Sequence, residues 1–72
     1  MKNIFYSLSN FHKAVKRNKP LFVVCNWITS EYYFFTQKAC INYAAPNYKD
    51  SAALEIWLKN QGVKIEYESY DV

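Results

Sequence analysis

Glycine is almost missing from this chain: Gly62 is the only one among 72 residues. A P-loop or a GxGxxG turn needs several glycines to let backbone close around phosphate, so the common nucleotide-binding folds are excluded. Histidine is equally scarce. His12 stands alone, and the two cysteines, Cys25 and Cys40, are fifteen positions apart, without the paired spacing of structural zinc ligands. Two cysteines make no disulfide framework; both lie in apolar segments and read as reduced, buried thiols, with a single bridge between them as the alternative. The longest uninterrupted apolar run covers residues 21–25, far short of the roughly 20 residues that cross a bilayer. Residues 1–20 also lack the apolar stretch and small-residue cleavage site of a secretion signal. The expectation is a soluble cytoplasmic protein with no membrane role and no cofactor.

Aromatic side chains are what the chain has in excess: seven tyrosines, five phenylalanines and two tryptophans, 19% of the residues. A chain of this size buries only about 60% of the surface it exposes when unfolded, while each aromatic brings roughly 150–250 Å² that prefers to leave water. Some of that surface is expected outside, where aromatic patches serve partners. Residues 1–72 read as one domain that starts at Met1 and forms a complete small gene product. Residues favoured by AT-rich codons (Phe, Tyr, Met, Ile, Asn, Lys) number 33, against 10 for Gly, Ala, Arg and Pro. This fits a bacteriophage, a mobile element or an AT-rich bacterium, and for a phage product the site of action is the host cytoplasm.

Charge is uneven. Residues 1–20 carry five positive charges and no negative one, and residues 21–72 carry four positive and six negative. Residues 10–18 have helical periodicity, with Phe11, Ala14, Val15 and Asn18 on one side and His12, Lys13, Lys16 and Arg17 on the other. Ser9 suits the N-cap and Pro20 stops the helix. Residues 3–8 fit either a short strand or a backward extension of that helix, and the run Ile4-Phe5-Tyr6 favours the strand. Residues 21–28 and 31–35 form an apolar hairpin about Thr29-Ser30. Residues 36–45 read as a helix capped by Thr36, with Ala39, Cys40, Tyr43 and Ala44 on one face, although a continuing strand competes. Residues 51–61 read as a helix capped by Asp50 or Ser51 and buried through Ala53, Leu54, Trp57 and Leu58, with Gly62 at its end. Residues 63–70 alternate as an antiparallel strand, Val63, Ile65 and Tyr67 inward. The predicted class is α+β in β-α-β-β-α-α-β order: a small antiparallel sheet of three to four strands with two to three helices on one face, approximating a ferredoxin-like plan.

Residues 9–24, SNFHKAVKRNKPLFVV, locally resemble the first helix and strand of a thioredoxin-like domain. The resemblance covers under a quarter of the chain. Trp27-Ile28-Thr29-Ser30 stands where the Cys-x-x-Cys belongs, so no redox role carries over. Cys25 lies mid-strand without a base, and His12 sits beside Lys13 and Lys16 with no carboxylate to orient it. Glu66, Glu68 and Asp71 read as a charged outer strand face rather than a cation site. No catalytic or metal site is expected. Two surfaces remain. His12, Lys13, Lys16, Arg17 and Lys19 form a basic group suited to anions or nucleic acid. The run Tyr32-Tyr33-Phe34-Phe35 suits an RRM-type sheet surface only superficially, since the expected glycines and basic position are missing. Because neighbours along a strand point to opposite faces, one pair of that run must leave the helix-covered side. It then joins either Phe22, Val24 and Ile28 or Val23 and Trp27. Trp27, Tyr32, Tyr33, Phe34, Phe35 and, on the last helix, Ile56 are the candidate protein interface. The expected function is a non-enzymatic protein acting by protein–protein contact or self-association, in its concrete form a phage or mobile-element inhibitor of a host defence protein. The alternative is a nucleic-acid-binding accessory protein that uses the basic helix.

Overall fold

The computed structural model describes residues 2–68. Seven elements follow one another: β1 Lys2–Phe5, α1 Leu8–Asn18, β2 Phe22–Asn26, β3 Glu31–Phe35, β4 Ala39–Ala44, α2 Tyr48–Asn60 and β5 Lys64–Tyr67. The strands form one five-stranded sheet in the order β1-β4-β3-β2-β5. β2, β3 and β4 are an antiparallel meander, and the edge strands β1 and β5 pair parallel to β4 and β2. The α+β class stands. The expected three- to four-stranded antiparallel sheet and its ferredoxin-like plan are corrected to a mixed five-stranded sheet with two helices.

Residues 36–45 are not the expected helix. Thr36 caps a hairpin turn instead: its Oγ1 accepts from the amides of Lys38 and Ala39 at 3.2 and 3.0 Å, and its own amide reaches the Ala39 carbonyl at 2.8 Å. The chain then returns as β4, hydrogen-bonded to β3 on one side and β1 on the other. Alanine favours helix by only tenths of a kcal/mol per residue, too little to offset two ladders of backbone bonds and the burial of Ile41 and Tyr43. β5 pairs parallel rather than antiparallel, because α2 carries the chain across the sheet before it re-enters. Asp71 and the last residues of the expected 63–70 strand lie outside the described residues.

The helix ends are local chemistry. Ser7, not Ser9, caps α1 by accepting from the Asn10 amide at 3.3 Å. Lys19 closes it in a left-handed conformation at φ 47°, its amide bonded to the Val15 carbonyl, and Pro20 prevents continuation. Asn47 caps α2 through the Asp50 amide at 2.9 Å, one turn before the expected Asp50 or Ser51. Gly62 at φ 77° takes the left-handed turn that lets the Val63 amide bond back to the Leu58 carbonyl at 3.0 Å.

Both crossovers, β1-α1-β2 and β4-α2-β5, run the same way across the sheet, which lays both helices on one face. Phe11 and Val15 of α1 and Leu54 and Leu58 of α2 pack there on Val23, Cys25, Tyr32, Phe34, Ile41 and Tyr43. The aromatic cluster of Phe11, Phe34 and Tyr43 fills the centre, with ring centroids 5.8–5.9 Å apart. Among the described residues no helix is long and apolar enough to cross a membrane.

Candidate functional site

Strand alternation and the registers assign the other face of the sheet without ambiguity. Asn3 and Phe5 of β1, Cys40 and Asn42 of β4, Tyr33 and Phe35 of β3, Phe22 and Val24 of β2, and Lys64 and Glu66 of β5 point away from the helices. Among the described residues no helix or strand covers them. Phe5 is 64% exposed, Phe35 60% and Phe22 42%. The β2–β3 register, continued by two pairs, sets Phe22 across from Phe35. The Tyr33 and Phe35 rings meet edge to face at 5.7 Å. Away from Lys64 and Glu66 at its β5 margin, the polar groups Asn42 and Tyr33 of this face are tied down rather than left to water. Asn42, buried at the centre of the face, donates from Nδ2 to Asn3 Oδ1 and to Cys40 Sγ, the latter at 3.5 Å. The Tyr33 hydroxyl donates to Glu68. The result is a firm apolar plate with three phenylalanines standing out of it.

The candidate interface residues divide. Tyr33 and Phe35 belong to the bare face, in company with Phe22 and Val24 rather than Val23 and Trp27. Tyr32 and Phe34 are core residues, 0% and 3% exposed, and they drop out of any interface. Trp27 is exposed at the β2–β3 turn but lies toward the helix side, and Ile56 is exposed on the outside of α2. Phe5 and Asn42 were missed. The alternation of Asn3 and Phe5 against Ile4 carried the signal for Phe5, once residues 2–5 were known to be a strand in the same sheet.

At the carboxyl ends of β2 and β5 a cleft of about 410 Å³ is lined by Cys25, Trp27, Tyr32, Ser51, Glu55 and Tyr67, among others. Glu55 accepts the Tyr32 hydroxyl at 2.8 Å on one carboxylate oxygen and the Tyr67 hydroxyl on the other, and Ser51 also bonds the Tyr32 hydroxyl. Burial, opposed by Ser51 and reinforced by Glu55, pushes the Tyr32 phenol well above its ordinary range. The hydrogen bond to Glu55, with burial, pushes Tyr67 up to about 12. Burial raises the Cys25 thiol as well. Groups shifted in this direction stay protonated near neutrality, so these two phenols and this thiol supply neither phenolate nor thiolate. Its network latches α2 to β3 and β5.

The basic group is only partly a surface. Lys13, Lys16, Arg17 and Lys19 are exposed on α1 and its cap. His12 is not a solvated residue: its ring stacks on Trp57 of α2 at 3.9 Å and 15°, and Nε2 is buried without a hydrogen-bond partner. Burial first, and Lys16 second, lower its pKa. Among the described residues no cluster of His, Cys, Asp and Glu could hold a metal. The four cations sit on the helix side, opposite the bare aromatic face. No protein-family model, curated protein or solved structure matches this chain.

Proposed function

We propose that this protein acts by binding another protein through the bare face of its sheet. One observation carries the reading: among the described residues no element covers this sheet face, and Phe5, Phe22 and Phe35 stand exposed on it with Tyr33 and Val24 half-buried between them. Exposed aromatics backed by a rigid plate are the usual anchors of protein interfaces, since they bring area at small entropic cost. AT-rich codon bias supports the narrower form, an inhibitor of a host protein encoded by a phage or mobile element.

Substituting Phe22 and Phe35 together by Ala is expected to weaken capture of the partner from a host lysate at least tenfold while moving the melting temperature little. Phe34→Ala, one position away, is expected to cost about 3–5 kcal/mol of stability instead. Partner capture that survives the Phe22/Phe35 change would refute the bare face as the docking surface. The nucleic-acid reading keeps one supporting observation, the exposed cations Lys13, Lys16, Arg17 and Lys19. It ranks second because the exposed sheet aromatics Phe5, Phe22 and Phe35 lie across the molecule from the cations of α1. Binding that falls steeply with salt and vanishes on Lys13→Glu and Lys16→Glu would reverse that order.

A further inference from the structure

We infer that β5 is the contact strand of a two-fold symmetric dimer, in which two copies of this chain join edge to edge into one continuous sheet. β5 is an outer strand with one paired edge. The amides of Lys64 and Glu68 donate inward, to the carbonyls of Leu21 and Cys25 at 3.2 and 3.0 Å. Alternation along a parallel ladder therefore turns the N–H and C=O of Ile65 and Tyr67 outward, unpaired within the sheet. A groove of about 460 Å³ runs along this strand, lined by Lys59, Ile65 and Tyr67 among others.

The side chains select the occupant and the register. In an antiparallel pairing centred on Ile65, Ile65 meets Ile65 of the second copy and exchanges both backbone bonds with it. Lys64 then faces Glu66 of the second copy, and Glu66 faces its Lys64. These two pairs occupy the non-hydrogen-bonded positions, where facing side chains come closest. Tyr67, 56% exposed on the helix side, comes to lie beside Val63 of the second copy. Shifting the register by two residues in one direction sets Glu66 against Glu66, and in the other direction Lys64 against Lys64. Like charges directly opposite are destabilising, so of these three alignments only the one centred on Ile65 is free of a like-charge pair; the one centred on Glu66 also brings Lys64 opposite Glu68, but Glu68 is already engaged by the Tyr33 hydroxyl. Charges on an edge strand ordinarily discourage pairing, but here their order favours one specific partner, a second copy of this chain. The other edge strand, β1, places no such charge pair, and joining it to β5 would give an open, non-closing chain of molecules.

The test is sedimentation equilibrium of the full chain over a concentration series, with hydrogen exchange read at the Ile65 and Tyr67 amides. The wild type is expected to reach a dimer and no further, with those two amides gaining protection as the dimer fills. Lys64→Glu is expected to weaken self-association about tenfold or more, since both cross-copy pairs become repulsive. Adding Glu66→Lys to that variant restores complementarity with the signs exchanged and is expected to restore the dimer. Circular dichroism of each variant checks that the fold is retained. A monomer at every concentration overturns the inference. So does a dimer indifferent to Lys64→Glu, a dimer lost on Phe22→Ala and Phe35→Ala instead, or growth into fibres. Lys64 and Glu66 stand at the β5 margin of the bare face, but Phe5, Phe22 and Phe35 take no part in this edge contact, so failure of either reading leaves the other standing.

Discussion

Tyr32 and Tyr33 are adjacent and chemically identical, yet one hydroxyl is sealed under α2 while the other rims the bare face. Their difference is strand parity, and parity was legible: the run 32–35 had to divide between two faces. Which pair went inside was not, because that depends on where the helices lie, which no local pattern encodes. His12 shows the same limit. Its place among lysines suggested a wet helix face, and only the arrival of Trp57 from α2, more than forty residues away, buries it. The residue-scale prediction concerns Glu55. Tyr67 ionises near 10 in the unfolded chain and is held to about 12 when folded, and Tyr32 shifts the same way. The folded state therefore keeps protons that the unfolded state gives up above pH 10. Stability from this network is fully present below pH 10 and is lost as pH rises toward 12. Urea midpoints measured across that range are expected to fall, with tyrosinate absorbance appearing together with unfolding. A Glu55→Gln variant is expected to show an earlier, shallower ionisation, and identical curves for the two proteins would contradict the assignment.

Among the elements, α2 was the most legible because several signals agreed: an apolar stripe, an acidic start and a single glycine at its end. Its true beginning lies a turn earlier at Asn47, and Asn47→Ala is expected to cost about 1 kcal/mol in chemical denaturation by removing the side-chain acceptor. Asp50→Ala, at the position first expected to cap, is expected to cost less, since Asp50 only complements the helix dipole there. Equal losses would show that the cap is shared. β4 was the least legible element. Ala39, Cys40, Tyr43 and Ala44 fit a helical stripe by spacing, and a six-residue strand buried between two others has no polar alternation to reveal it. Asn42 disguised it further: a buried amide in a strand looks like a loop residue until Asn3 arrives as its partner.

Across the whole molecule the sheet acts as a partition. Cys25 points to the helix side from β2 and Cys40 to the bare side from β4, with β3 between them. Strands two places apart are separated by about 10 Å, beyond the roughly 7 Å between Cα atoms that a disulfide spans. The bridge left open by the sequence is thus excluded within one chain. Intact mass after mild oxidation is expected to show no loss of two hydrogens, and alkylation of the folded protein is expected at Cys40, which is partly exposed, well before Cys25. Preferential labelling of Cys25 would mean that the faces have been assigned the wrong way round. The interleaved crossovers also govern the order of assembly. The meander β2-β3-β4 closes over short turns, whereas β1 with β4 and β2 with β5 join residues about forty positions apart. Neither edge strand has anything to dock on until the meander exists, so the chain closes from the middle of its sequence outward. The edge strands β1 and β5, the last to be secured, are the first to come loose.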